Sequence, residues 1–269
     1  MRLKRLFPAA LVAALTVLLV FLTLPILAIF FDVGPAQLID ALGAPGAVDA
    51  LRLSLLTTSI ALTVIVIVGT PAAYLLATRR FRGRALAITL VELPLVLPPA
   101  VAGIGLLAAI GPGGILGPAI ASTGIELVFE TAGVVIALTF VASPFYVRQA
   151  LAAFEAVDSA LLDASRTLGA GEARTFVRIA IPNATSGLAS GFALAWGRAL
   201  GEFGATLVFA GSFRGITQTT PLAIVALVGS DFPGALALSA VLVLVSLALL
   251  ISVKLISGSL LGPARIPTW

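Results

Sequence analysis

The sequence has no cysteine and no histidine. That excludes disulfide frameworks, thiol nucleophiles, histidine acid–base chemistry and ordinary zinc sites. Lysine is scarce as well. Lys4 and Lys254 are the only two, and neither follows a glycine, so no phosphate-binding P-loop can be written. Any use of ATP therefore requires another chain. Charge is the third shortage: 10% of the 269 residues are charged, whereas a soluble domain carries roughly 25%. With 60% apolar residues and a mean hydropathy of +1.17, the chain lacks the polar surface of a water-exposed globule.

What it has instead is long apolar runs of bilayer-spanning length, the mark of an all-α polytopic membrane protein. The first runs from Leu6 to Phe31 after the basic start Arg2, Lys4, Arg5. It exceeds the 7–15 residues of a signal-peptide core and lacks a small-x-small end, so an uncleaved helix is expected. Further spans fit Leu51–Ala77, Ala85–Ile110, Thr131–Tyr146 (extended upstream by Ile125–Glu130), Ala184–Ala210 and Ala235–Ile256. The apolar stretch Gly215–Ser230 is short and contains Pro221, which suggests a re-entrant or interfacial piece.

Basic residues retained beside spans mark the cytoplasmic side. With six spans and the N-terminus inside, Lys and Arg cluster there at positions 2–5, 79–84, 148–178, 254 and 265. Only Arg52 and Arg214 fall outside, and Arg198 lies within a span. The external side holds Asp32, Asp40, Asp49, Glu126, Glu130 and Asp231. Both termini are expected in the cytoplasm, and the pI near 10.3 reflects topology rather than nucleic-acid binding.

Three polar features stand out. The cytoplasmic segment Arg148–Ile181 reads as a short helix from Asp158 to Leu168, capped by Asp158 or Ser159. Its apolar face would comprise Ala160, Leu161, Ala164, Leu168 and, more loosely, Leu162. A Gly169–Gly171 break follows, then a second helix ending before Pro182. On pattern alone this is equally an ordinary amphipathic loop. In the fifth span, Ala189, Ala193, Gly197, Gly201 and Ala205 form a ridge of small residues suited to a close helix contact, within or between subunits. Arg198 and Glu202 lie one turn apart there, as an ion pair or as part of a transport path. In the third span, Glu92 precedes Pro98 and Pro99, which remove amide donors and break the helix, either as a packed kink or as a pathway lining. Glu92 alternatively sits at the cytoplasmic boundary.

The loop letters Asp163-Ala164-Ser165-Arg166, then Gly169, then Ile179-Ala-Ile-Pro182 resemble the EAA loop of ABC importer permeases, with Asp163 for Glu, Ser165 for Ala and Ile181 for Leu. Leu93–Pro99, Gly197–Thr206 and Thr217–Ile224 look like the molybdate branch of that family, and sulfate permeases share much of the Gly-Glu-Phe-Gly signature. The resemblance implies a type I importer permease-like fold, with residues 1–269 forming one transmembrane domain in a prokaryotic cell membrane. It implies a loop around Asp163–Gly169 that docks on an ATPase, a second copy of the chain, two ATPase subunits binding ATP and magnesium, and an external oxyanion-binding protein. It implies import of a tetrahedral oxyanion, most simply molybdate, with tungstate or sulfate/thiosulfate as alternatives. No catalytic or metal-binding residue and no cofactor is expected in this chain. A lone ion-coupled carrier using Glu92 or Glu202 is the reading from a different class.

Overall fold

A computed structural model describes residues 2–31, 33–43 and 46–256, and among them every regular element is a helix. Asp32 and Arg265, both used in the charge count, lie outside these residues. Helix α1 (Arg2–Phe31) touches the rest of the chain mainly through the last long helix, and its side chains are exposed from Phe7 to Ala28. A short α2 (Pro35–Gly43) leads to α3 (Ala47–Thr78), which passes through Pro71 without ending. Helices α4 (Arg84–Val96) and α5 (Pro99–Ile110) meet at Leu97–Pro98, bent by 119°. After a one-turn α6 (Gly117–Ala121) comes α7 (Thr131–Glu155). Then follow α8 (Ser159–Thr167), α9 (Glu172–Thr175), α10 (Ile181–Leu200), α11 (Gly204–Ala210), α12 (Thr220–Val228) and α13 (Phe232–Ile256).

Among the described residues, four helices are long and apolar enough to cross a bilayer alone: α1, α3, α7 and α13. The bent pair α4–α5 makes a fifth if it is one span. The expected fifth span, Ala184–Ala210, is instead two helices, because α10 stops at Leu200 and α11 starts at Gly204. The fourth span is also displaced. Glu130 is extended and Phe129 has φ +64°, so the helix gains nothing upstream of Thr131 and runs on to Glu155. Arg148 therefore lies within α7 rather than at the start of a loop. Gly215–Ser230 contains only the nine-residue α12, too short to span.

The core is α7 packed between α3 and α10. Small residues set the spacing, because in lipid it is close packing rather than water expulsion that joins helices. A β-carbon built on Gly69 of α3 would stand 3.1 Å from the side chains of Tyr146 and Val147, and the Tyr146 hydroxyl meets Thr70 Oγ1 at 2.6 Å. On α10 the face toward α7 carries Ala184, Gly187, Gly191 and Ala195; Gly187 lies against Ala153 and Gly191 against Gln149 and the Tyr146 carbonyl. The ridge read from the sequence is not the face that α10 turns toward α7 within the chain. Gly197 and Gly201 sit on another face and are exposed, and a β-carbon on Gly197 would meet nothing within 4 Å. Of the five ridge residues only Ala205, beyond the helix break, is fully buried within the chain.

Candidate functional site

At the end of α7 the chain forms a compact knob. Asp158 caps α8 by accepting the Ala160 amide at 2.9 Å. The helix closes with two nested bonds, Ala170 N–H to the Ser165 carbonyl and Gly169 N–H to the Arg166 carbonyl, which place Gly169 in the left-handed region (φ +83°). It is the left-handed backbone rather than crowding that favours glycine here, since the space around it is open. The Ser165 hydroxyl lies 3.0 Å from that of buried Thr175, locking α8 onto α9.

The apolar face of α8 differs from the expected one. Leu162 is buried, whereas Ala160, Leu161, Ala164 and Leu168 point outward, Leu168 being 87% exposed. The second helix also does not end before Pro182. It continues into α10 through a widened π turn, Phe176–Ala180, in which the Ile181 amide bonds back to Phe176. Pro182 has no N–H and its ring would crowd the carbonyl a turn earlier; the wider turn accommodates both.

Charges tie the knob to the membrane helices. Glu172 Oε1 meets Arg79 at the end of α3 (3.0 Å) and Arg166 of α8 (3.4 Å), while Arg166 also bonds Asp163 at 2.9 Å. Slight burial works against the Arg166 charge, but the Asp163 hydrogen bond and the Glu172 carboxylate more than offset it, so the guanidinium titrates above its ordinary value. Arg84 bonds Glu155 at 2.7 Å and the Leu76 carbonyl at 2.6 Å, bridging α3, α4 and α7. Glu92 is paired with Arg148 at 3.3 Å, so it belongs to the α4–α7 contact. Exposed pairs of this kind contribute roughly 0–1 kcal/mol each; their importance here is connectivity. The hub Glu172 was not singled out in the sequence, where it reads as one more loop charge.

The second part of the site is a meeting of helix breaks. Pro98 and Pro99 interrupt α4–α5, and Gly201–Phe203 interrupts α10–α11. A β-carbon on Gly204 would lie 2.7 Å from Pro99 Cβ, and one on Gly103 would lie 2.7 Å from Val208 Cβ, so α5 packs on α11 with the two breaks abutting. Glu202, 1% exposed, organises its break: Oε1 accepts the Ala205 amide at 2.7 Å, and Oε2 meets Arg198 Nη2 at 2.5 Å. Thr206 is fully buried, with no hydrogen-bond partner for its hydroxyl among the described residues. Pro98, Pro99, Gly197 and Gly201 all remain exposed beside this junction. No group of His, Cys, Asp and Glu that could hold a metal ion occurs among the described residues.

Residues 65–261 match the family model described as the binding-protein-dependent transport system inner membrane component. The molybdenum transport system permease protein ModB of Mycobacterium tuberculosis is 39% identical over 228 residues, covering 85% of this chain and 86% of that one. The sulfate transport system permease protein CysW of a Synechocystis species is 36% identical over 212 residues, covering 78% and 77%. Among solved structures, a bacterial ABC transporter involved in import of the acidic polysaccharide alginate superposes with a TM-score of 0.78 at 16% identity, over 96% of this chain and 98% of that one.

Proposed function

The chain belongs to the family of binding-protein-dependent transport system inner membrane components, and from that premise we propose that it carries a tetrahedral oxyanion, molybdate before sulfate, through a path at the abutting helix breaks. It is the multi-pass permease subunit of an ABC importer; ATP hydrolysis belongs to a separate subunit. The observation that carries the path is the contact of Pro99 with Gly204. Irregular backbone at bilayer depth is tolerated where it is buried in protein or lines a cavity, and this junction is exposed on one side of the single chain.

In this reading α4–α5 and α10–α11 are each one broken span, giving six spans with both termini cytoplasmic. The outward face of α8, Ala160, Leu161, Ala164 and Leu168, docks on the ATPase, which binds ATP and magnesium. Its movement reaches the membrane by two routes: the π turn into α10, and Glu172 to Arg79 at the foot of α3. A second copy covers the exposed face at Gly197 and Gly201, so the path lies between two chains. Its walls offer the anion hydroxyls and backbone amides rather than a cluster of cations, and such weak contacts release their cargo. Delivery and most discrimination fall to an external oxyanion-binding protein.

Molybdate ranks first because relatives named for molybdenum transport are 39–42% identical, against 32–36% for those named for sulfate. Competition among molybdate, tungstate and sulfate for ATP-driven uptake by the assembled transporter tests the assignment. Uptake halted by sulfate at equal concentration would move the chain to the sulfate branch.

A further inference from the structure

The turn that joins α3 to α4 reads Arg79-Arg80-Phe81-Arg82-Gly83-Arg84, four guanidinium groups in six residues. Its backbone is fixed. Arg79 N–H closes α3 on the Leu75 carbonyl at 3.0 Å, Arg84 N–H donates to the Phe81 carbonyl at 3.2 Å, and Gly83, at φ +91°, opens α4. Like charges this close repel one another, and carboxylates relieve only two of them. Arg79 pairs with Glu172, and Arg84 with Glu155 and the Leu76 carbonyl. Arg80 and Arg82 are exposed and make no ion pair among the described residues, and Phe81 is exposed between them.

The surroundings decide which anion answers these two charges. Leu75 in the last turn of α3, and Leu86 and Leu90 in the first two turns of α4, are exposed apolar side chains on helices that enter the membrane. The unpaired arginines therefore stand where the apolar surface of two membrane helices ends. We infer that this turn seats the headgroup of an anionic phospholipid in the leaflet on the knob side. Arg80 and Arg82 grip its phosphate, while Phe81, Leu75 and Leu86 lie against the glycerol and the upper acyl chains.

A soluble partner would fit only half of this surface. It could bring an acidic group, but it could not reach Leu75 and Leu86 within the bilayer; a phospholipid offers both. Arginine suits a phosphate because its planar fork donates two parallel bonds. Long basic side chains beside a span also keep their stems on apolar surface and their charge at the headgroups. Arg79, in the same turn, joins the foot of α3 to Glu172 of the knob. A lipid held at Arg80 and Arg82 thus fixes the segment from which that pair is made. The seat depends only on the chain spanning a membrane, whichever anion it carries.

The test titrates the permease–ATPase complex in neutral detergent with dioctanoyl phosphatidylglycerol and counts bound lipid by native mass spectrometry. The wild type should bind phosphatidylglycerol in preference to phosphatidylcholine. Displacement by inorganic phosphate at equal concentration would make this a free-phosphate site and overturn the lipid seat. Arg80→Gln with Arg82→Gln should weaken phosphatidylglycerol about thirtyfold while the complex stays intact. Arg174→Gln with Arg178→Gln removes the same charge from two other exposed arginines that have no ion pair among the described residues, and should leave lipid binding unchanged. Equal loss in both double variants would reduce the effect to general charge and overturn the seat. So would unchanged lipid binding by Arg80→Gln with Arg82→Gln; release of the ATPase by that variant would then make the two arginines contacts of that subunit.

Discussion

Pro99 of α5 lies directly against Gly204 of α11, with no room for a β-carbon between them: one built on Gly204 would stand 2.7 Å from Pro99 Cβ and 3.4 Å from the Ala100 amide nitrogen. Two broken helices thus share one joint. Gly204→Leu should push them apart. Overpacking costs about 1–3 kcal/mol, so the complex should still assemble with lowered thermal stability while anion uptake is lost. Uptake and melting temperature, measured on the same preparation, check this; normal uptake would show that the joint is not part of the path.

Gly169 should separate two substitutions cleanly. At φ +83° a side chain suffers roughly 1–2 kcal/mol of left-handed strain, most severe for a β-branched residue and least for asparagine. Gly169→Val should leave membrane insertion intact and abolish stimulation of the ATPase by the binding protein, whereas Gly169→Asn should keep most of it. Equal behaviour of the two would remove the turn from the coupling mechanism.

Glu202 and Arg198 form a buried contact at the break between α10 and α11, the carboxylate 1% exposed and the Arg198 side chain 26%. Breaking a buried pair from one side costs about 3–5 kcal/mol, less here because Arg198 reaches some solvent. Glu202→Gln should therefore lower complex yield more than the double change Arg198→Gln with Glu202→Gln. Glutamine keeps an oxygen for the Ala205 amide, so the helix cap survives both changes. Additive losses in a double-mutant cycle would rule the coupling out.

The two small-residue faces of α10 should answer differently to leucine. Gly187→Leu intrudes on Ala153 and should prevent the single chain from folding. Gly201→Leu has space within the chain and should fold, yet block pairing of two copies. Cross-linking yield of detergent-solubilised protein against monomer recovery distinguishes them, and normal pairing of Gly201→Leu would turn that face toward lipid.

Much of this was legible in the letters. Apolar run lengths found α1, α3 and α13 within a few residues, and Asp158 and Gly169 marked both ends of α8, because caps and left-handed turns depend on local residue chemistry. The break after Leu200 was not legible: an apolar run with one ion pair looks continuous, and only the fold reveals that Glu202 caps a new helix. The face of α10 that packs on α7 was not singled out for a related reason. Glycines and alanines recur at several spacings there, and the partner Ala153 that selects Gly187 is remote in sequence. The hub at Glu172 joins Arg79 and Arg166, a relation that no local pattern encodes.

The most direct measurement is radiolabelled molybdate uptake into sealed proteoliposomes containing this chain, its ATPase and its binding protein. The account predicts uptake that requires all three components and ATP, and that tungstate competes away more effectively than sulfate. Uptake by this chain alone, driven by a proton or sodium gradient, would contradict it.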